Sequence, residues 1–240
     1  MSLTYIVTGA SRGLGLEFVT QIAAKGHTVF ALARNPSASE GLQKLVDNKK
    51  VFAVQLDTTD EKSIKNAVEE VSKNAPQGVD VLINNAGISG DRGGNIRKTA
   101  DEDYINVFTT NVVAVASVTN AFLPLLRQRG QDHTKKILNM SSILASISQI
   151  NTINPTGKAS AYSVSKAALN MLTKLTSNQL ASENFIVYAS HPGWVKTDMG
   201  GDDAPIEKKD SIAGMLKVIE NLTPEQNGSF IDFEGNQLPW

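Results

Sequence analysis

Thr4-Tyr5-Ile6-Val7-Thr8-Gly9-Ala10-Ser11-Arg12-Gly13-Leu14-Gly15 runs from an apolar, β-rich stretch straight into a glycine-rich turn, and a helix-period pattern starts directly behind it. Glycines in such a turn permit a tight reversal and let main-chain amides approach a phosphate without Cβ obstruction. They also leave a helix N-terminus facing the anion. The spacing is Gly-x-x-x-Gly-x-Gly, and three glycines in a turn carry little weight by themselves; their place between strand and helix supplies it. A pyrophosphate fits such a loop, which marks Gly9, Ser11, Arg12, Gly13, Leu14 and Gly15 as candidate contacts.

Outward from that turn, β-rich runs recur at Tyr5–Thr8, Thr28–Ala33, Val51–Leu56, Val79–Ile83, Lys136–Met140, Ile186–Ser190 and Ser229–Phe233. Amphipathic stretches separate them at Leu14–Lys25, Glu61–Asn74, Asp101–Arg129, Tyr162–Ser182 and Ser211–Leu222, each long enough for a right-handed crossover. The alternation predicts an α/β chain: a single-domain, Rossmann-type doubly wound parallel sheet of about seven strands with helices on both faces. One domain over 1–240 suits the length, and no repeat or Pro/Gly/Ser linker divides it. Three irregular segments, Ser89–Thr99, Leu144–Ser160 and Gly193–Asp210, exceed ordinary connections and read as lids or binding surfaces.

Composition narrows the partners. A formal net charge of -1 with scattered Lys and Arg offers no footprint for a nucleic-acid backbone. With no cysteine there is no disulfide, thiolate nucleophile or thiolate metal site, and His27, His133 and His191 show no ligand spacing, so no metal is expected. Strand-like residues begin almost at Met1, which leaves no room for a signal core and makes cytoplasmic localisation the expectation. The longest apolar stretch, Val112–Val118, is far short of a bilayer span, so no membrane partner is expected. No Gly-x-Ser-x-Gly elbow follows any of the strands, which disfavours a serine hydrolase.

The second strand ends at Ala33-Arg34, where a doubly wound fold meets the adenosine ribose. A carboxylate there accepts from a free 2'-hydroxyl, whereas the guanidinium of Arg34 suits a 2'-phosphate, with Arg12 as a second cation on the same side. NADP(H) is therefore expected over NAD(H). Further on, Tyr162-Ser163-Val164-Ser165-Lys166 opens a helical stretch, and the i,i+4 spacing puts phenol and ammonium on one face. A nearby cation favours phenolate and prepares the tyrosine for proton exchange.

The Tyr-x-x-x-Lys pair is common by chance, but it stands with Asn84-Asn85-Ala86-Gly87, Asn111, Asn139-Met140-Ser141-Ser142 and His191-Pro192-Gly193-Trp194-Val195-Lys196-Thr197. In order and placement these motifs and the Thr8–Gly15 loop resemble the short-chain dehydrogenase/reductase family over essentially the whole chain. The stretches Ile137–Leu144, Trp194–Gly200 and Gly235–Trp240 look like carbonyl reductases of the sniffer and C-factor type. The tail is also similar to fungal norsolorinic acid ketoreductases.

That resemblance implies NADPH-dependent reduction of a small-molecule carbonyl, with Tyr162 as proton donor and hydride supplied by the cofactor. It implies that Lys166 lowers the Tyr162 pKa and holds the nicotinamide ribose, that Ser142 polarises the carbonyl, and that Asn111 holds a water linking Lys166 to solvent. It further implies that Asp57 meets the adenine, that Asn85 and Gly87 meet the adenosine ribose region, that Val195 and Thr197 meet the carboxamide, and that Ala86, Pro192 and Gly193 also contact the cofactor. A homo-oligomer, dimer or tetramer, built on the long helices from Asp101 and Tyr162 is implied likewise. Two departures bear on Ser142. Ala145 replaces a common glycine, and the Ser142–Tyr162 stretch is longer than usual, which keeps Ser141 as the alternative. An NADP-binding sensor without turnover is the rival reading, since fold alone does not dictate chemistry. Gly193–Asp210 is expected to be a substrate lid: Gly200-Gly201 can absorb rotation, Asp202-Asp203 prefer water, and Trp194 and Met199 offer apolar area.

Overall fold

A computed structural model describes residues 2–240. Seven strands form one all-parallel sheet in the order β3-β2-β1-β4-β5-β6-β7. They are β1 (Thr4–Thr8), β2 (Thr28–Ala33), β3 (Val51–Gln55), β4 (Val81–Asn84), β5 (Lys135–Met140), β6 (Phe185–His191) and β7 (Phe230–Asp232). The helices are α1 (Gly13–Ala24), α2 (Glu40–Gln43), α3 (Glu61–Asn74), α4 (Asp101–Phe108), α5 (Ala114–Arg127), α6 (Ile150–Ile153), α7 (Ser160–Leu180) and α8 (Lys208–Asn221).

The near-continuous Val, Ile and Leu of the central strands suit burial on both faces, as a parallel sheet covered by crossover helices demands. On one face Tyr5, Val7, Ile83, Leu138 and Tyr188 pack against Phe18 and Ile22 of α1 and Ile212, Met215 and Ile219 of α8. On the other, Ile6, Phe30, Leu82, Ile137 and Val187 meet Ile64 and Val71 of α3 and Val118 and Phe122 of α5. Each such side chain, once removed from water, stabilises the fold by about 1.5–3 kcal/mol.

The strand order reverses between β1 and β4, so the turns leaving these two strands diverge and open a crevice at the carboxyl edge of the sheet. The glycine loop follows β1, and Asn85–Gly87 follow β4. The two sequence motifs therefore meet at the switch point.

Three elements differ from the sequence expectation. The predicted Asp101–Arg129 helix is interrupted at Thr109–Val113 by a π turn that contains Asn111. The Asn111 carboxamide takes the Ile88 N–H on Oδ1 at 2.9 Å and donates Nδ2 to the Ile88 carbonyl at 2.9 Å, and the widened turn sets it there. The 144–160 segment is not structureless; it holds a 3-10 turn at Ile143–Ala145 and the short α6. The 193–210 segment is a folded flap rather than a loose loop: Val195 and Ala204 are buried, and Val195 bridges to Ile206. Gly200 there serves close packing, because a Cβ would lie 1.8 Å from the Val195 carbonyl oxygen.

Candidate active site

The Thr8 hydroxyl ties the β1 and β4 ends together by accepting both the Asn85 and Ala86 N–H groups at 3.0 Å. Asn85 turns its Nδ2 inward to the Thr8 carbonyl at 2.9 Å, so only its side-chain oxygen and main-chain carbonyl remain for a ligand. Gly9 has φ +66, and a Cβ on it would come within 2.9 Å of the Ala86 Cα, so only glycine lets the two turns approach. Thr8 was not among the residues singled out from sequence, although it opens the motif.

The α1 N-terminus behind this loop has Arg12 as its N-cap and no side-chain capping hydrogen bond. Its first amides are left for another acceptor, and at Gly13 (φ +58) a Cβ would meet nothing nearer than the Thr197 Cγ2 at 4.0 Å. An uncapped helix start with room in front of it fits a dinucleotide pyrophosphate. Arg34 is exposed at the end of β2, and among the described residues it forms no ion pair. The Asp57 carboxylate takes the N–H and hydroxyl of Thr59 at 2.9 and 2.7 Å, which with the Arg34 charge holds it below the usual carboxylate range. Arg12 is paired through Nη1 with Asp198.

At the other side of the crevice β5 delivers two serines with different duties. Ser141 is buried and donates to Asn170 Oδ1 at 2.7 Å, which commits its hydroxyl to the fold. Ser142 accepts only the Leu144 N–H at 3.2 Å, and its hydroxyl faces the Tyr162 phenol, where it favours the phenolate. The geometry favours Ser142 over Ser141 as the group facing a substrate.

Tyr162 and Lys166 share one face of α7, with the ammonium 5.6 Å from the ring centroid. Lys166 is buried and donates to the Met140 carbonyl at 2.6 Å. Burial pushes its pKa down to about 8. Burial pushes the Tyr162 phenol up, while the Ser142 hydrogen bond and the positive charge of Arg92 act in the opposite direction. Arg92 had no sequence signal. The neighbouring backbone is tied to α7, because Ser160 donates its N–H to the Gly94 carbonyl at 3.4 Å and joins Thr99 and Tyr104 through its hydroxyl.

Asn111 is fully buried, and besides Ile88 it donates to the Ser165 hydroxyl at 3.0 Å. Gly87 sits between the Asn111 and Lys166 side chains, 3.1 and 3.6 Å from where its Cβ would be. Asn111 is thereby brought beside Lys166, and its amide nitrogen is fully employed in fixing Ile88 and α7. Pro192 gives its carbonyl to the Ser211 hydroxyl at 2.6 Å. Gly193 (φ +84) has the Ile206 Cδ1 2.5 Å from its missing Cβ, and Thr197 keeps its hydroxyl within its own turn. Trp194 does not fill the core; it is 54% exposed and donates to the Gly200 carbonyl at 2.8 Å. A groove of about 700 Å³ between α3 and α5 lies away from Tyr162, and its Glu61, Lys65 and Glu69 are solvated charges without proton-transfer geometry.

A parallel sheet with a phosphate-ready helix start at its switch point, and a Tyr–Lys–Ser cluster across the crevice, defines a dinucleotide-dependent oxidoreductase architecture. The family model for short chain dehydrogenase matches residues 4–207, and the chain belongs to that family. Among solved structures it is similar to the NADPH-bound carbonyl reductase from chicken fatty liver, with TM-score 0.93 and 38% identity over 100% of this chain and 99% of that one. The carbonyl reductase Sniffer of D. melanogaster superposes equally, with TM-score 0.93 and 31% identity over 100% of both chains. The Myxococcus xanthus protein C-signal is 43% identical over 165 residues, 68% of this chain and 93% of that protein.

Proposed function

We propose that this protein reduces a ketone, aldehyde or quinone carbonyl to the alcohol, with NADPH as hydride donor and Tyr162 as proton donor. The observation that carries the reading is the convergence of Ser142, Tyr162 and Lys166 across the crevice from the uncapped α1 N-terminus. The cofactor supplies hydride; the protein supplies orientation and the proton. The Ser142 hydroxyl donates to the carbonyl oxygen and polarises it. The Tyr162 phenol passes its proton to that oxygen as charge develops there, and the Lys166 cation stabilises the phenolate left behind. One Lys166 N–H is held by Met140, which leaves others for a ribose hydroxyl. Asn111 holds the Ile88–Lys166 side of the site in place and borders the path by which Tyr162 is reprotonated from water.

Arg34, at the end of β2 and without an ion pair among the described residues, favours a 2'-phosphate, in keeping with the NADPH in the chicken enzyme and the NADP in a Pseudomonas aeruginosa carbonyl reductase 30% identical over 100% of both chains. Trp194, Met199 and Ile147 stand exposed near the carboxyl edge and suit the apolar body of a carbonyl substrate. The 193–210 flap closes over the nicotinamide and excludes water from the transfer.

The test is loss of NADPH absorbance against quinones, diketones and aromatic aldehydes, with Tyr162→Phe beside the wild type. The variant keeps the ring and removes the proton, so turnover falls by ~10²- to 10⁴-fold while NADPH affinity barely changes. Normal turnover by Tyr162→Phe would sink the assignment. NADPH binding with no turnover of any of these substrates by the wild type would favour the sensor reading.

A further inference from the structure

The glycine loop and the flap touch through one polar contact among the described residues. Arg12 Nη1 donates to Asp198 Oδ2 at 2.5 Å. Both side chains are about three-quarters exposed, at 75% and 77%. Asp198 is not on a mobile tip. The Thr197 hydroxyl accepts the Gly200 N–H at 2.9 Å and the Thr197 carbonyl accepts the Gly201 N–H at 2.8 Å, so the main chain is pinned just beyond the carboxylate. The same turn is anchored behind by the Lys196–Glu207 ion pair at 2.6 Å and the Val195–Ile206 bridge. Arg12 is the N-cap of α1 in extended conformation, φ -160, and its Nε and Nη2 have no partner among the described residues.

We propose that Asp198 is a positioning residue for the cofactor: it holds Arg12 so that the free edge of the guanidinium meets a cofactor phosphate, and the Arg12–Asp198 pair straps the flap across the phosphate channel. The inference rests on the cofactor reading given above. A guanidinium has five N–H donors in a rigid fork and can serve two anions at once, one at Nη1 and one along the opposite edge. Ordering a free arginine costs rotamer entropy on binding, and a carboxylate that orders it beforehand removes that cost. Against this stands repulsion between the carboxylate and the phosphate. The guanidinium held by both offsets that repulsion, and because the side chains stay in water the residual interaction is small. The ordering gain wins, and because the pair also closes the channel it acts chiefly on cofactor release. The pair is exposed, so its effect is a modest factor and fades with salt.

The test is the NADPH dissociation rate, measured by stopped-flow fluorescence in wild type, Asp198→Asn, Arg12→Ala and the double variant, at low and high salt. The expected result is release three- to tenfold faster in Asp198→Asn, with a smaller factor at high salt and no further effect of Asp198→Asn once Arg12 is alanine. Unchanged release, or slower release as for a carboxylate that competes with phosphate, would overturn the strap; so would an Asp198→Asn effect that persists without Arg12. If Arg12→Ala weakens NADPH binding while Asp198→Asn does nothing, only the strap fails. If Arg12→Ala leaves NADPH binding unchanged, both the strap and the assignment of Arg12 to the cofactor fail.

Discussion

Lys166 and Tyr162 titrate in opposite senses because burial disfavours charge on each: the phenol is raised and the lysine lowered to about 8. At neutral pH the phenol keeps the proton that reduction needs, and Lys166 is still charged. As pH rises through about 8 the lysine loses its proton, and with it the support for the phenolate product. Reductive turnover is therefore expected to decline on an alkaline limb near that value, read from the pH profile of kcat; a profile level well beyond it would rule out this coupling. At the far end of the cofactor, Arg34→Asp replaces a cation with a group that repels a 2'-phosphate and accepts from a hydroxyl. The NADPH/NADH ratio of kcat/KM should fall, mainly through KM. An unchanged ratio would move the phosphate site away from β2.

Elements set these residues in place through contacts far apart in sequence. The segment after Ser142 is tethered by the chain's last residues: the Trp240 carbonyl accepts the Ser148 N–H at 3.1 Å and its hydroxyl at 2.8 Å, and Trp240 stacks on Phe230 at 5.6 Å. Leu238 adds a main-chain bond to Phe230 at 2.8 Å. Deleting Leu238–Trp240 removes the tether without touching Lys166 or the glycine loop. Hydrogen exchange in 144–154 should then quicken and kcat should fall several-fold while NADPH affinity holds. Equal loss of both would mean that the tail supports the whole fold instead. The π turn at Thr109–Val113 illustrates the same point, since a regular helix would rotate Asn111 away from Ile88.

At the scale of the whole molecule, α4, the π turn and α7 leave an apolar face. Ile105 is 63%, Val113 50%, Met171 62% and Leu175 59% exposed, in a protein whose other helices hide such residues well. The run Asp101–Arg127 is long and apolar enough by length and composition to cross a bilayer, yet 44% of its most apolar window is buried in this fold. Single exposed apolar residues need no explanation, but a contiguous set marks an interface. We propose that a second copy covers it, as the family resemblance implies. Met171→Asp with Leu175→Asp should convert a dimer or tetramer to monomer by light scattering, and a wild type already monomeric at micromolar concentration would refute the interface.

Local chemistry made the sheet legible in advance: β-rich runs and amphipathic stretches predicted seven parallel strands, because both patterns follow from how a strand or helix buries one face. The glycine loop, Arg34 and the Tyr162–Lys166 spacing were legible for the same reason, since strand–turn–helix and i,i+4 geometry are short-range. Long-range packing decided the rest. It committed Ser141 to Asn170 and left Ser142 beside Tyr162, aimed Arg12 at Asp198, tied Gly94 to α7 through Ser160, and closed the tail over Ser148. The hydrogen-bonded partners among these lie 29 to 186 positions apart. No local pattern encodes where such partners come to lie, because their approach is set only when the whole sheet and its helices have packed.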